Sequence, residues 1–255
     1  MLAEIYHKIA DDGRNLSDRL EDQLTGDFFG VLRYIPFERG LFHVLELADF
    51  GDAQSRWRNL MEKQKGYSFD YEFWQREQEG ELDLLLYNDD VVIGIEVKYL
   101  SGLSSEDVEP VKKYQESQQQ LVRYVKMLER KYAEQPAFLL FLAPFHTMNY
   151  VKKSMQEKYP QLPVPVGFLC WEDIHTMLQR LPKALLSQGE QLMVHDLERL
   201  LAKKGLKRFI GFQQNLLAMD VQQTGYQFQA TPAIALSFNW PQLVIQEGDY
   251  YEFKR

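Results

Sequence analysis

Apolar residues recur at three- and four-residue intervals over residues 15–35, where Leu20, Leu24, Phe28, Val31 and Ile35 line one side of an amphipathic helix. Asn15 or Ser17 supplies a cap and Pro36 ends it. Residues 40–50 form an apolar stretch that fits helix or strand, and residues 52–65 read as a polar helix. The period then changes. Residues 69–77, 81–87 and 91–99 are short runs of aromatic and branched residues, separated by Glu79-Gly80 and Asn88-Asp89-Asp90, which predicts three consecutive antiparallel strands. A long helix follows, opened by Ser104-Ser105 and Pro110 and running to Tyr132, with Tyr114, Leu121, Val125, Leu128 and Tyr132 as its stripe.

Residues 137–143 (Ala-Phe-Leu-Leu-Phe-Leu-Ala) are apolar throughout and bounded by Pro136 and Pro144, as a strand buried on both faces requires. Because a helix precedes it, this strand is expected to lie parallel to its neighbour. A helix over 149–158, a strand over 164–170 and helices over 172–181 and 190–204 complete the pattern. The fold class is therefore α/β, in the order helix, three strands, helix, strand, with a C-terminal α/β continuation. From residue 206 onward the chain is aromatic and aperiodic, with strands expected near 226–228 and 233–238. The division is a domain over 1–205 and an extension over 206–255.

Composition narrows the classes. A chain of 255 residues with 45% apolar side chains can bury a full core. The N-terminal segment carries Glu4 and Lys8 where a signal peptide needs an unbroken apolar run, and no later run approaches a membrane span, so a cytoplasmic protein is expected. The single cysteine, Cys170, excludes an internal disulfide and reads as a buried thiol. A net charge of −8 argues against broad coating of nucleic acid but allows a cleft with a local basic rim.

The candidate chemistry lies on the strands. Two-residue periodicity turns Asp83 away from Leu82, Leu84 and Leu86, and turns Glu96 and Lys98 away from Ile93, Ile95 and Val97. A hairpin centred on Asp89-Asp90 sets Asp83 across from Glu96, with Cβ atoms roughly 5 Å apart. Two carboxylates that close repel unless a cation lies between them, and oxygen ligands of this kind suit Mg²⁺. Lys98 beside them is placed to orient or deprotonate a water and to offset charge on a phosphate. On the first helix Glu21 falls about 100° from Leu20, inside the apolar arc, where a carboxylate needs a partner. Gln120 and Tyr124, one turn apart, lie on an edge of the long helix's stripe and can reach over the strand ends.

This arrangement resembles the PD-(D/E)xK nuclease superfamily: αβββαβ order over residues 15–145, Glu21 on the first helix, Asp83 on the second strand, Glu96-Val97-Lys98 on the third and Gln120-Leu121-Val122-Arg123-Tyr124 on the next helix. The Gln-x-x-x-Tyr element is similar to that of its recombination-exonuclease branch. The proline that precedes the aspartate in that superfamily is replaced by Leu82. The resemblance implies a restriction-endonuclease-like core with a central mixed sheet, Mg²⁺ or Mn²⁺ held by Asp83 and Glu96, Lys98 assisting the attacking water, and Glu21 completing or supporting the metal site. It also implies DNA as substrate, with genome defence or repair in bacteria as the setting. A homodimer would suit paired cuts in a duplex.

Two rivals stand beside that expectation: a non-catalytic nucleic-acid-binding or protein-interaction module, and a nuclease acting on RNA. A binding module gives no reason to hold two repelling acids together. The histidines His7, His43, His146, His175 and His195 lack ligand spacing and read as structural or surface residues, with His146, in the loop after the fourth strand, a lesser candidate for the site. Arg56, Arg58, Lys63 and Lys65 are the expected phosphate contacts, and residues 101–105 the loop by which substrate enters.

Overall fold

The computed structural model describes residues 16–103, 105 and 114–208. Asn15, the side chain of Ser17, Ser104, Pro110 and the strands expected near 226–228 and 233–238 lie outside the described residues. The amphipathic stretch forms α1 (Leu16–Leu32), and the ambiguous apolar run resolves as a short helix, α2 (Leu41–Glu46), followed by α3 (Gln54–Lys63). Three strands follow, β1 (Asp70–Glu77), β2 (Gly80–Tyr87) and β3 (Val92–Val97). Then come α4 (Gln120–Lys131), β4 (Ala137–Ala143), α5 (Phe145–Lys158), β5 (Val166–Cys170), α6 (Trp171–Arg180) and α7 (Gln188–Lys203).

The sheet has five strands in the order β1-β2-β3-β4-β5. β1, β2 and β3 pair antiparallel, whereas β3, β4 and β5 are parallel. The mixed character follows from the connections, since tight turns join the first three strands and helices carry the chain back to the same end for the last two. All seven residues of β4 are buried, because helices cover both faces of the sheet. One face packs α1, α2, α3, α6 and α7 through Leu24, Phe28, Leu45, Trp57, Ile174 and Leu197. The other packs α4 and α5 through Leu121, Val125, Leu128, Val151 and Met155. Each fully buried side chain of this size contributes roughly 1.5–3 kcal/mol of burial free energy. Gly94 lets α4 lie close over β3, since a Cβ there would come within 3.2 Å of Leu128 Cδ1 and 3.0 Å of Leu82 Cδ2.

Within the described residues the long helix begins at Gln120, later than Ser104-Ser105 or Pro110 would place its start. Tyr114–Glu116 form a single 3₁₀ turn, and Ser117 is buried with its Oγ accepting the Gln119 amide at 3.1 Å. Gln119 then caps the helix, in extended conformation, by accepting the Val122 amide at 2.9 Å. Glutamine is an uncommon cap, so the sequence carried no start signal there. At α7 the opposite holds: Ser187 and Glu190 form a reciprocal capping box, and the helix starts earlier than its apolar stripe suggests. No described helix is long and apolar enough to cross a membrane.

Candidate active site

The β2–β3 ladder pairs Tyr87 with Val92 and continues to Leu84 with Ile95, and the same register sets Asp83 across from Glu96. There the backbone pairing gives way to a side chain: the Val97 amide donates to Asp83 Oδ2 at 2.7 Å. Regular alternation fails at the same point. Leu84 and Leu86 pack against α1 and its neighbours, as expected, but Leu82 packs on the α4 face with Leu85. Asp83 is therefore not turned away from a continuous Leu82, Leu84 and Leu86 face; the strand rotates at Asp83.

Glu96 is 1% exposed, and its two oxygens differ. Oε1 accepts from Lys98 Nζ at 2.6 Å and from Gln120 Nε2 at 2.6 Å, while Oε2 is buried without a hydrogen-bond partner. Lys98 Nζ also donates to Glu21 Oε1 at 3.0 Å. The other Glu21 oxygen, Oε2, accepts from the Tyr99 amide at 2.9 Å and from Ser101 Oγ at 2.6 Å. The carboxylate that the helical wheel left inside the apolar arc thus has its partners, and they tie α1 to the chain leaving β3. Lys98 is anchored from behind as well, because its carbonyl accepts Trp171 Nε1 at 2.9 Å and its amide donates to Leu142 O at 2.7 Å.

Gln120 and Tyr124 stand on the first turns of α4. Gln120 Nε2 also donates to the Tyr124 hydroxyl at 3.2 Å, and that hydroxyl donates to Glu81 O at 2.6 Å. A line of hydrogen bonds therefore runs from the backbone of β2 through Tyr124 and Gln120 to Glu96. Gly80, at φ 143°, allows this approach: a Cβ there would lie 3.2 Å from the Tyr124 ring.

Acidic groups crowd this enclosure. Glu96 and Glu21 each bond to the Lys98 ammonium, and Asp83 acts on both Lys98 and Glu96. Burial, then the charge of Asp83, push the Glu96 carboxyl well above the ordinary range against the pull of Lys98. For Lys98, burial acts to lower the pKa, but the charges of Glu96, Asp83 and Glu21 outweigh it and hold the ammonium above its usual value. Burial raises the Tyr124 hydroxyl, with Glu96 adding to the effect, so it stays a neutral donor.

The structure gathers Asp83, Glu96, Lys98, Glu21, Gln120 and Tyr124 at one end of the sheet, but Glu21 is turned towards Lys98, Tyr99 and Ser101. Among the described residues no group of three or more His, Cys, Asp or Glu side chains is assembled for a metal ion. Asp83 and Glu96 are the pair with the hard oxygen chemistry for a divalent cation, and the partnerless Glu96 Oε2 is an atom such a cation would satisfy. The residues present fit that group.

The basic residues expected to contact phosphate are elsewhere. Arg56 lies over the ring of Phe138, at 5.2 Å, beside the start of β3. Gln64, just past α3, accepts from Asn88 in the β2–β3 turn at 2.7 Å. Arg56, Arg58, Lys63 and Lys65 are thus carried to the far end of the hairpin from Asp83, and nearness in sequence misplaced them. His146 is exposed on the first turn of α5, in edge contact with Phe145. Of the loop over 101–105, Ser101 reaches Glu21, and Ser105 O accepts the Gln120 amide at 3.2 Å. Sequence reasoning assigned no role to Ser101 beyond a flexible loop and none to Trp171, although both brace the lysine's surroundings. No family model, curated protein or solved structure matches the chain in comparisons with each.

Proposed function

We propose that this chain is a divalent-cation-dependent nuclease that hydrolyses phosphodiester bonds of DNA, built on a restriction-endonuclease-like core and acting in the cytoplasm. The observation that carries the reading is Glu96 Oε2, a buried carboxylate oxygen without a hydrogen-bond partner, in the side chain whose carboxyl the charge of Asp83 acts on. A purely structural salt bridge would not leave that oxygen bare, because buried polar atoms persist where they are paired. The order α1, β1, β2, β3, α4 and β4 accords with such a core, with α2 and α3 inserted before the sheet.

Asp83 and Glu96 would hold Mg²⁺ or Mn²⁺. When bound, that ion supplies Lewis-acid stabilisation of the phosphate and acidifies a water molecule. The chain's own residues do the rest. Gln120 and Lys98 hold Glu96 Oε1, which leaves Oε2 for the ion. Lys98, kept protonated by three carboxylates, acts as a hydrogen-bond donor that orients water and offsets charge developing on the phosphate, and not as a general base in this state. Glu21 fixes where that ammonium stands. Tyr124 keeps Gln120 aimed at Glu96.

The test is to incubate the purified protein with supercoiled, linear and single-stranded DNA and with RNA, in Mg²⁺, Mn²⁺ or EDTA, beside Asp83→Asn and Lys98→Ala variants. Cleavage that needs the cation and is lost in both variants supports the reading. Activity that survives both substitutions, or the absence of cation binding by calorimetry, overturns it.

A further inference from the structure

Asp83 stands where two ladders are interrupted at once. Between β1 and β2 the pairs run from Asp70 with Tyr87 to Phe73 with Leu84 and resume at Gln75 with Leu82, so the residue across from Asp83 in that register is Trp74. Between β2 and β3 the pairs stop at Leu84 with Ile95. Both strands also lose their side-chain alternation here. Phe73 and Trp74 are consecutive yet pack into the same core cluster, and Leu82 and Leu84, two apart, pack on opposite faces. In a regular strand neither arrangement occurs.

The backbone gives the cause. Trp74 has φ 51° and is the one non-glycine residue with positive φ among the described residues. For a bulky side chain this conformation is strained and persists only where its surroundings hold it. The Trp74 ring is 7% exposed and packs 5.3 Å from Phe73, which supplies that hold.

We propose that Trp74 is a positioning residue for Asp83: its left-handed backbone breaks the β1–β2 ladder, the facing strand rotates, and the Asp83 carboxylate turns out of the alternation towards the Val97 amide and Glu96. The functional weight of this inference rests on Asp83 being a cation ligand, as proposed above; the geometry it explains does not. It also accounts for an aromatic residue at a position whose conformation favours glycine or asparagine, since the ring anchors the turn while the backbone makes it.

Two variants separate the backbone role from packing. Trp74→Ile keeps an apolar side chain but strongly disfavours the left-handed region, whereas Trp74→Gly accepts that region freely and removes the ring. The Val97 amide resonance, observed in perdeuterated, ¹⁵N-valine-labelled full-length protein and assigned by its loss in Val97→Ile, reports the bond to Asp83 directly. Manganese titration by calorimetry reports the consequence. The expected result is that Trp74→Ile shifts the Val97 amide upfield and weakens Mn²⁺ binding by about 10- to 100-fold, the range for groups that orient a ligand. Trp74→Gly should leave both near wild type while losing more stability in urea. A Val97 amide unmoved in Trp74→Ile, or moved more in Trp74→Gly than in Trp74→Ile, overturns the inference. Should wild type bind no Mn²⁺, the nuclease reading fails, and the amide shifts still decide the role of Trp74.

Discussion

Lys98 Nζ stands 3.0 Å from Oε1 of Glu21, a carboxylate 77 residues earlier in the chain, and this contact joins α1 to the end of β3. Both side chains are buried, so the pair differs from the surface ion pairs elsewhere on the molecule, which contribute little. Removing Lys98 leaves Glu21, Glu96 and Asp83 without their shared cation. In EDTA, Lys98→Ala is expected to lose about 3–5 kcal/mol in urea unfolding. A double-mutant cycle of Glu21→Gln with Lys98→Met should give a coupling of about 1 kcal/mol or more. A coupling within about 0.3 kcal/mol would mean that the contact does not organise the site.

Cation binding should stabilise the fold, because the Glu96 oxygen buried without a hydrogen-bond partner is a cost that a divalent ion removes. At a Mg²⁺ concentration a hundred times its dissociation constant, the gain in unfolding free energy is about 2.7 kcal/mol. Thermal or urea unfolding with and without Mg²⁺ measures it. Asp83→Asn and Glu96→Gln should each abolish the gain, while Arg56→Ala, at the far end of the hairpin, should keep it. A gain of equal size in Asp83→Asn would place the ion elsewhere.

Gly80 meets two constraints together, a φ of 143° and a Tyr124 ring 3.2 Å from where a Cβ would be. Gly80→Ala is therefore expected to cost more than the 1 kcal/mol or so of a simple left-handed glycine replacement. It should also weaken Mn²⁺ binding, since displacement of Tyr124 releases Gln120 and with it Glu96. Calorimetry beside urea unfolding separates the two effects, and lost stability with unchanged Mn²⁺ affinity would disconnect Tyr124 from the site.

Cys170 is fully buried, and its thiol donates to Asp173 Oδ2 at 3.1 Å. Burial, and then the bond to Asp173, push the thiol up to about 12. Because the folded value exceeds the unfolded one, near 8.5, the thiol has no effect on stability below pH 8.5 and costs stability as pH rises from there towards 12. At pH 8 the thiolate fraction is roughly a thousandfold below that of a free thiol, so the native protein should be almost inert to Ellman's reagent and react after unfolding. Rapid native labelling at pH 8 would contradict this burial. Stability between pH 8 and 10 should fall more steeply in wild type than in Cys170→Ala.

Periodicity, turn residues and prolines are local, and what they control was legible. Pro136 and Pro144 bound β4 where it is found, Asn88-Asp89-Asp90 closes the β2–β3 turn, and apolar runs mark strands covered on both faces. The site's members were legible for the same reason, because a charged residue inside an apolar stripe is conspicuous one strand or one helix at a time. Gln119 was not, since its capping depends on a buried Ser117 that no local pattern reveals.

The sequence by itself determined most of the elements, the antiparallel sense of β1 to β3 and the parallel entry of β4, and it singled out Asp83, Glu96, Lys98, Glu21, Gln120 and Tyr124 as candidates near the strand ends. Only the tertiary structure decided what each of them touches. Glu21 answers to Lys98, Tyr99 and Ser101, Trp171 braces the lysine carbonyl, the basic residues of α3 sit at the wrong end of a hairpin, and Trp74 rotates the strand that carries Asp83. The division has one physical reason. Element type depends on neighbours along the chain, while the partner of a buried charge and the strain at a ladder break depend on residues that packing brings from tens of positions away.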